Sequence, residues 1–194
     1  MKTSMPLWLA LIAASSPTAW VVAQEPGHRA ATAQPAPAAA LNDTAADRTK
    51  STEGDRLALG LLGAVNEHEI AAARQAQSKK VSGAVLDYAR MMQKDHGENQ
   101  ARTKAFGPLS DGAEVRALKV KGEGELASLG TKSGAAYAKA YIDAMVKGHT
   151  DALDLIDRKM IPAATGAAVK EHLTKTRAHV ADHLERARAI AAKP

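Results

Sequence analysis

Apolar residues recur at spacings of three and four along most of residues 55–191, and such a rhythm predicts amphipathic helices rather than strands. The first predicted helix runs from about Asp55 to Ser78. Leu57, Leu61, Val65, His68, Ala72 and Ala76 form one stripe, and Leu62, Val65, Glu69 and Ala73 an adjoining one. Glu53 and Asp55 at its start and Lys79 and Lys80 at its end complement the helix dipole. The second, from about Ser82 to Phe106, repeats Val85, Tyr88, Met92, His96, Asn99, Thr103 and Phe106, with Ser82 as cap and Gly107-Pro108 as stop. The third, from about Ala135 to Met160, carries Tyr141 or Ile142, Met145, His149, Ala152 and Ile156, with Pro162 at its end. The fourth, from about Gly166 to Ala191, carries Val169, Leu173, Thr176, Val180, His183, Ala187 and Ile190.

Between the second and third helices lies a long, glycine-punctuated connection, residues 109–134. Val115, Leu118, Leu126 and Leu129 predict a short or broken helix there, too polar to be a full member of a bundle. Four amphipathic segments, two short turns and one long crossover describe an all-α fold: a ferritin-like four-helix bundle whose crossover joins helices two and three. The bundle domain is expected over residues 54–194.

The first 53 residues do not fit this rhythm. Residues 1–23 read as a signal peptide: Lys2, an apolar run from Pro6 to Ala14 too short to span a bilayer, then Val21-Val22-Ala23 at the cleavage point. Residues 24–53, rich in Ala, Pro, Thr and Asp, hold one large aliphatic side chain, Leu41, and are expected to be a disordered tether. The mature chain is expected in the periplasm, with outer-membrane association open and no transmembrane segment.

Composition narrows the chemistry. The 194 residues include no cysteine and only 3% aromatics against 45% hydrophobic residues, which disfavours an all-β fold and excludes disulfides, thiol catalysis and thiolate metal sites. The formal charge of +5 interleaves with acids along the helices, and no basic stripe with stacking aromatics exists, so no nucleic-acid partner is expected. No phosphate-cradling loop or Gly-x-Ser-x-Gly elbow is present.

Each helix stripe does carry a side chain able to ligate a metal: His68 and Glu69, His96, His149, and His179 with His183. His172, His179 and His183 share a narrow arc of one helical face, and His179 and His183 are i, i+4 neighbours. Counted from a turn near Ala164, His149 lies 15 residues back and His179 lies 15 forward, so an antiparallel hairpin sets them at similar height. His149, His179 and His183 are therefore the leading ligands, with His96 and Glu69 as a second group. From a turn near Lys79-Lys80, Glu69 falls level with Ala89 to Met91, so one site using both Glu69 and His96 requires a tilt or a shifted turn. The competing reading is structural: each histidine at the core edge bonds a carboxylate, such as Asp95, Asp151, Asp182, Glu171 or Glu185. The Glu-x-x-His of di-iron bundles is absent, since Gln93, Val146 and Val180 stand three residues before His96, His149 and His183. No ferroxidase or oxygenase is expected, and no enzyme.

The runs Glu69-Ile70, Met91 to His96, Tyr137 to His149 and His183-Leu184 resemble the bacterial domain-of-unknown-function 4142 family, over about Gly54 to Ile190. Its members are exported, ferritin-like helical bundles, often labelled outer-membrane proteins. The family's Glu on helix one, Met-x-x-Asp-His on helix two, Phe-Asp-x-x-Tyr…His on helix three and Leu-Pro-x-x-x-x-His-Leu near the end correspond here to Glu69, Asp95-His96, Tyr141 with His149, and His183. This chain departs from that pattern at Tyr137-Ala138, where Phe-Asp is usual, and at Arg177-Ala178, where Leu-Pro is usual. Two functions follow as expectations. One is non-catalytic binding of a divalent transition metal, falling off below about pH 6.5, the ordinary histidine value. The other is a structural or interaction bundle of the cell envelope, with a stress-related role, protein partners and no metal.

Overall fold

A computed structural model describes residues 51–193. The expected signal peptide and nearly all of the expected tether lie outside them. The described chain is all-α, as the periodicity predicts, with no strand among the described residues. The helices are α1 (Glu53–Ser78), α2 (Gly83–Lys104), α3 (Ala113–Gly130), α4 (Gly134–Leu155) and α5 (Ala167–Ala191). A π-helical turn, Ile156–Met160, and a last helical turn, Ile161–Ala163, extend α4. Pro162 accounts for the wider turn: it has no N–H to donate, and its ring excludes a regular preceding α turn.

α1 opens at Glu53, within the stretch expected to be tether, because Thr52 and Asp55 form a capping box. Thr52 Oγ1 accepts from the Asp55 N–H at 3.1 Å, and Asp55 Oδ2 accepts from the Thr52 N–H at 3.1 Å. Asp55 Oδ1 also accepts from the N–H groups of Thr165 (2.8 Å) and Gly166 (3.0 Å), pinning the start of α1 to the turn before α5. These bonds hold the Asp55 carboxyl down at about 2, against the cost of its burial.

The connection expected to be short or broken is an unbroken helix of 18 residues, α3, packed along α1 and touching α4. Val115, Gly122 and Leu129 are its buried residues, with Leu118 and Leu126 half-buried beside them, a narrow stripe on a mostly exposed helix. Its end is fastened by Lys79, whose Nζ donates to the carbonyls of Gly130 (2.5 Å) and Lys132 (2.9 Å).

α1 also packs along α2 and touches α4; α4 packs along α5, and α5 touches α2. Their apolar side chains form two separate clusters. One gathers Ala58, Leu59, Leu62, Val115, Ile156, Met160, Leu173 and Val180. The other gathers Ala72, Ala76, Tyr88, Met92, Tyr137, Tyr141, Met145 and Ala187. Between them along the chain, each of these four helices contributes buried polar residues: Asn66 and Glu69, His96 and Asn99, His149, and His183, with Thr176 two turns before His183 within the first cluster. This polar layer is the site.

Candidate metal centre

The layer is held in register by side-chain hydrogen bonds between helices. Asn66 Nδ2 donates to Asn99 Oδ1 at 2.8 Å, and Asn99 Nδ2 donates to Thr176 Oγ1 at 2.8 Å, linking α1, α2 and α5. With its amide nitrogen committed, Asn66 presents Oδ1 to His96 Nδ1 at 2.9 Å. An amide oxygen only accepts, so His96 carries its proton on Nδ1. His149 Nδ1 donates to the carbonyl of Met145 on its own helix at 2.8 Å. His183 Nε2 donates to Asp95 Oδ2 at 3.2 Å. Each ring therefore spends one nitrogen on a fixed acceptor and keeps a lone pair on the other.

The three rings also converge. One ligand atom from each of His96, His149 and His183 lies within 4.8 Å of the other two. The ring centroids are 5.2 Å apart for His96 and His183, 5.6 Å for His149 and His183, and 5.9 Å for His96 and His149. His96 Nε2, His149 Nε2 and His183 Nδ1 are all buried with no hydrogen-bond partner. Orphaned buried acceptors are costly, and three in one place call for a shared partner. A tetrahedral ion bonded at about 2.0–2.1 Å sets its nitrogens roughly 3.3 Å apart, so shifts of under about 1 Å per ring complete the set.

Charge favours the same use. Burial pushes His96 well below the ordinary histidine value, helped by the neighbouring His149 and His183. Burial likewise holds His149 down at about 4, against its bond to Met145. Burial and His149 lower His183, although Asp95 pulls the other way. All three are neutral at pH 7, the form that binds metal. Glu69, on α1, has Oε1 3.9 Å from His149 Nδ1, on the side of the ring away from its orphaned nitrogen. Burial raises its carboxyl to about 7. Its Oε2 and the Tyr141 hydroxyl are also buried without partners.

Of the residues singled out from the sequence, His96, His149 and His183 come together, with Glu69 beside them. His179 does not join them: it is exposed, at the rim of a groove between α2 and α5 that His96 and His183 also line. The reason is the position of the turn. Ala164, Thr165 and Gly166 are non-helical, and the ion pair of Asp157 with Arg177 (2.6 and 2.8 Å) marks the register of α4 against α5. The hairpin is centred near Gly166, so His183 rather than His179 is level with His149. The first hairpin shifts likewise. Its connection extends to Ser82, and Gln77 pairs with Gln93 at 2.6 Å, which carries His96 up to Asn66 and Glu69. His172 is bonded instead to Thr103 Oγ1 at 3.0 Å, and His68 Nε2 faces Glu125 at 3.4 Å. Asp95, expected to serve its neighbour His96, serves His183.

The Asn66–Asn99–Thr176 ladder was not legible as part of the site. Asn99 and Thr176 sit on apolar stripes, which was the available signal; Asn66 falls within an Ala/Leu/Val run and is polar there without a local reason.

The family described as "Domain of unknown function (DUF4142)" matches residues 40–190. No curated protein and no solved structure matches the chain. No helix among the described residues is long and apolar enough to cross a membrane.

Proposed function

The chain belongs to the domain-of-unknown-function 4142 family, and for this member we propose non-catalytic binding of one divalent transition metal ion by His96, His149 and His183. The observation that carries this reading is the set of three orphaned nitrogens, on rings whose other nitrogens are all committed. A purely structural role explains one nitrogen of each histidine and leaves the other three unexplained. Three imidazoles without thiolate suit Zn, Cu(II), Ni or Fe. Asn66, the Met145 carbonyl and Asp95 orient the rings from behind, as outer partners of metal-bound histidines do. Glu69 supplies a nearby carboxylate to offset the ion's charge, and His179 at the groove rim serves the approach rather than the centre.

The wider frame is a ferritin-like four-helix bundle, with α3 as the crossover, exported to the periplasm by residues 1–23. The pairing of α1 with α2 and α4 with α5 supports the first element, and the sequence pattern supports the second. The absence of a bridging set of carboxylates around the trio, among the described residues, supports a binding role over di-iron oxidation chemistry.

The test is an equilibrium titration of the full mature chain with Zn, Ni, Cu and Fe(II), followed by melting. One ion is expected to bind per chain and raise the melting temperature, and His149→Ala with His183→Ala is expected to abolish both effects. No melting shift with any of the four ions, or unchanged binding by the double variant, overturns the reading.

A further inference from the structure

The three histidines are almost sealed: His149 is 1% exposed, His96 3% and His183 4%. An ion that binds them needs a way in. Two cavities lie beside the centre. The larger, between α1, α3 and α4, is lined by Glu69 and Gly148 but by none of the three rings. The smaller, a groove of about 200 Å³ between α2 and α5, is lined by both His96 and His183 and reaches the exposed His179. Val180 is the one apolar residue among those lining it.

His179 and His183 are i, i+4 neighbours on α5, so an ion held at the rim by one lies within reach of the other. His183 is also the least firmly held of the three rings. Its bond to Asp95 is 3.2 Å long, against 2.9 Å for His96 with Asn66 and 2.8 Å for His149 with Met145. The Asp95 side chain is 34% exposed and lines the groove, whereas Asn66 and Met145 are buried. The other charges along the groove pair with one another. Glu98 lies 2.9 Å from Lys94 and 3.8 Å from Arg102, and Lys94 lies 3.4 Å from Asp95. Exposed pairs of this kind are weak, so they leave the groove passable to a dication.

We propose that the ion reaches the centre through the groove between α2 and α5, bound first by His179 and then drawn inward by His183, whose ring turns away from Asp95 to take it. The route rests on the histidine trio being the binding centre, and adds to it one transient ligand and one moving ligand. His96 and His149, fixed by buried partners, complete the set once His183 has delivered the ion.

The probe is zinc, mixed by stopped flow with the chelator-treated full mature chain and followed with a chromophoric chelator. A ligand used only on the way changes the barrier and not the end states, so loading and release must slow by the same factor. His179→Ala is expected to slow both by roughly tenfold or more, with an equilibrium affinity within about twofold of the parent's. His179→Glu restores a ligating side chain and is expected to recover most of the parent's rate, a rescue that a merely structural imidazole would not show. Val65→Phe, in the wall of the other cavity, is expected to load at the parent's rate. Relaxation dispersion of the imidazole rings in metal-free protein is expected to show microsecond-to-millisecond exchange at His183 and none at His149. Loading by His179→Ala at the parent's rate, a loss of affinity that accounts for its slower loading, no rescue by His179→Glu, or equal slowing by Val65→Phe overturns the route, with circular dichroism confirming that each variant is folded. So does a His183 ring as rigid as His149. A parent that binds no zinc at equilibrium overturns the trio itself, and the route with it.

Discussion

A buried histidine has two ring nitrogens to satisfy, and in His96, His149 and His183 only one of each pair is satisfied. The satisfied nitrogen fixes the tautomer, so its partner controls where the other lone pair points. Asn66 and Asp95 are therefore expected to matter for metal affinity although neither offers a ligand atom to the ion. Asn66→Ala and Asp95→Ala are each expected to weaken zinc roughly 10–100-fold, read by competition with a chromophoric chelator; an affinity equal to the parent's removes both from the centre. The four residues nearest the centre were readable from sequence as polar intrusions on apolar stripes. Asn66 was not, because an asparagine on a helix acquires meaning only through partners such as His96 and Asn99, thirty and more residues away.

At the scale of elements, helix existence was legible and register was not. Periodicity located the four expected bundle helices to within a few residues, since each is fixed by its own apolar stripe. Which histidines meet depends on the turns, where a displacement of two residues in the hairpin centre moves its partner by four, one helical turn. That is the difference between His179 and His183 opposite His149. Crossover helix α3 was underestimated because its buried stripe holds little beyond Val115, Gly122 and Leu129, and because Lys79 anchors it from another helix.

Asp55 is the corresponding anchor at the other end of α1. Its folded value, about 2, lies below the ordinary 3.8, so its contribution is full above 3.8 and is lost as pH falls through 2. Asp55→Ala is expected to cost on the order of 2 kcal/mol at pH 7, measured by urea unfolding, and markedly less near pH 2. A cost that does not change with pH would show that the carboxylate's charge is not what holds the turn.

At the scale of the molecule, a polar layer separates two apolar clusters, and without metal that layer makes stability depend on pH. His96, His149 and His183 have folded values below 6.5, so the stability they protect is full above 6.5 and is lost as pH falls towards their folded values, about 4 for His149. Glu69 works oppositely: raised from 4.5 to about 7, it favours the folded state at low pH and loses that contribution as pH rises through 7. Between 4.5 and 6.5 three histidines oppose one acid. The metal-free protein is expected to melt highest near pH 6.5, with a steep decline on the acid side and only a slight loss between pH 6.5 and 7, where Glu69 completes its ionisation. A flat melting profile from pH 4.5 to 6.5, in chelator-treated protein, contradicts this. The same lowered values correct the expectation that metal affinity falls off from pH 6.5: protons compete with the ion only at lower pH, once the buried rings begin to protonate.

The most direct test of the metal centre is elemental analysis of the untagged mature protein purified from periplasm, beside a His96→Ala, His149→Ala, His183→Ala variant handled identically. About one transition metal ion per parent chain, and none in the variant, is the predicted result. A parent that carries no metal, or a variant that retains as much as the parent, would contradict it.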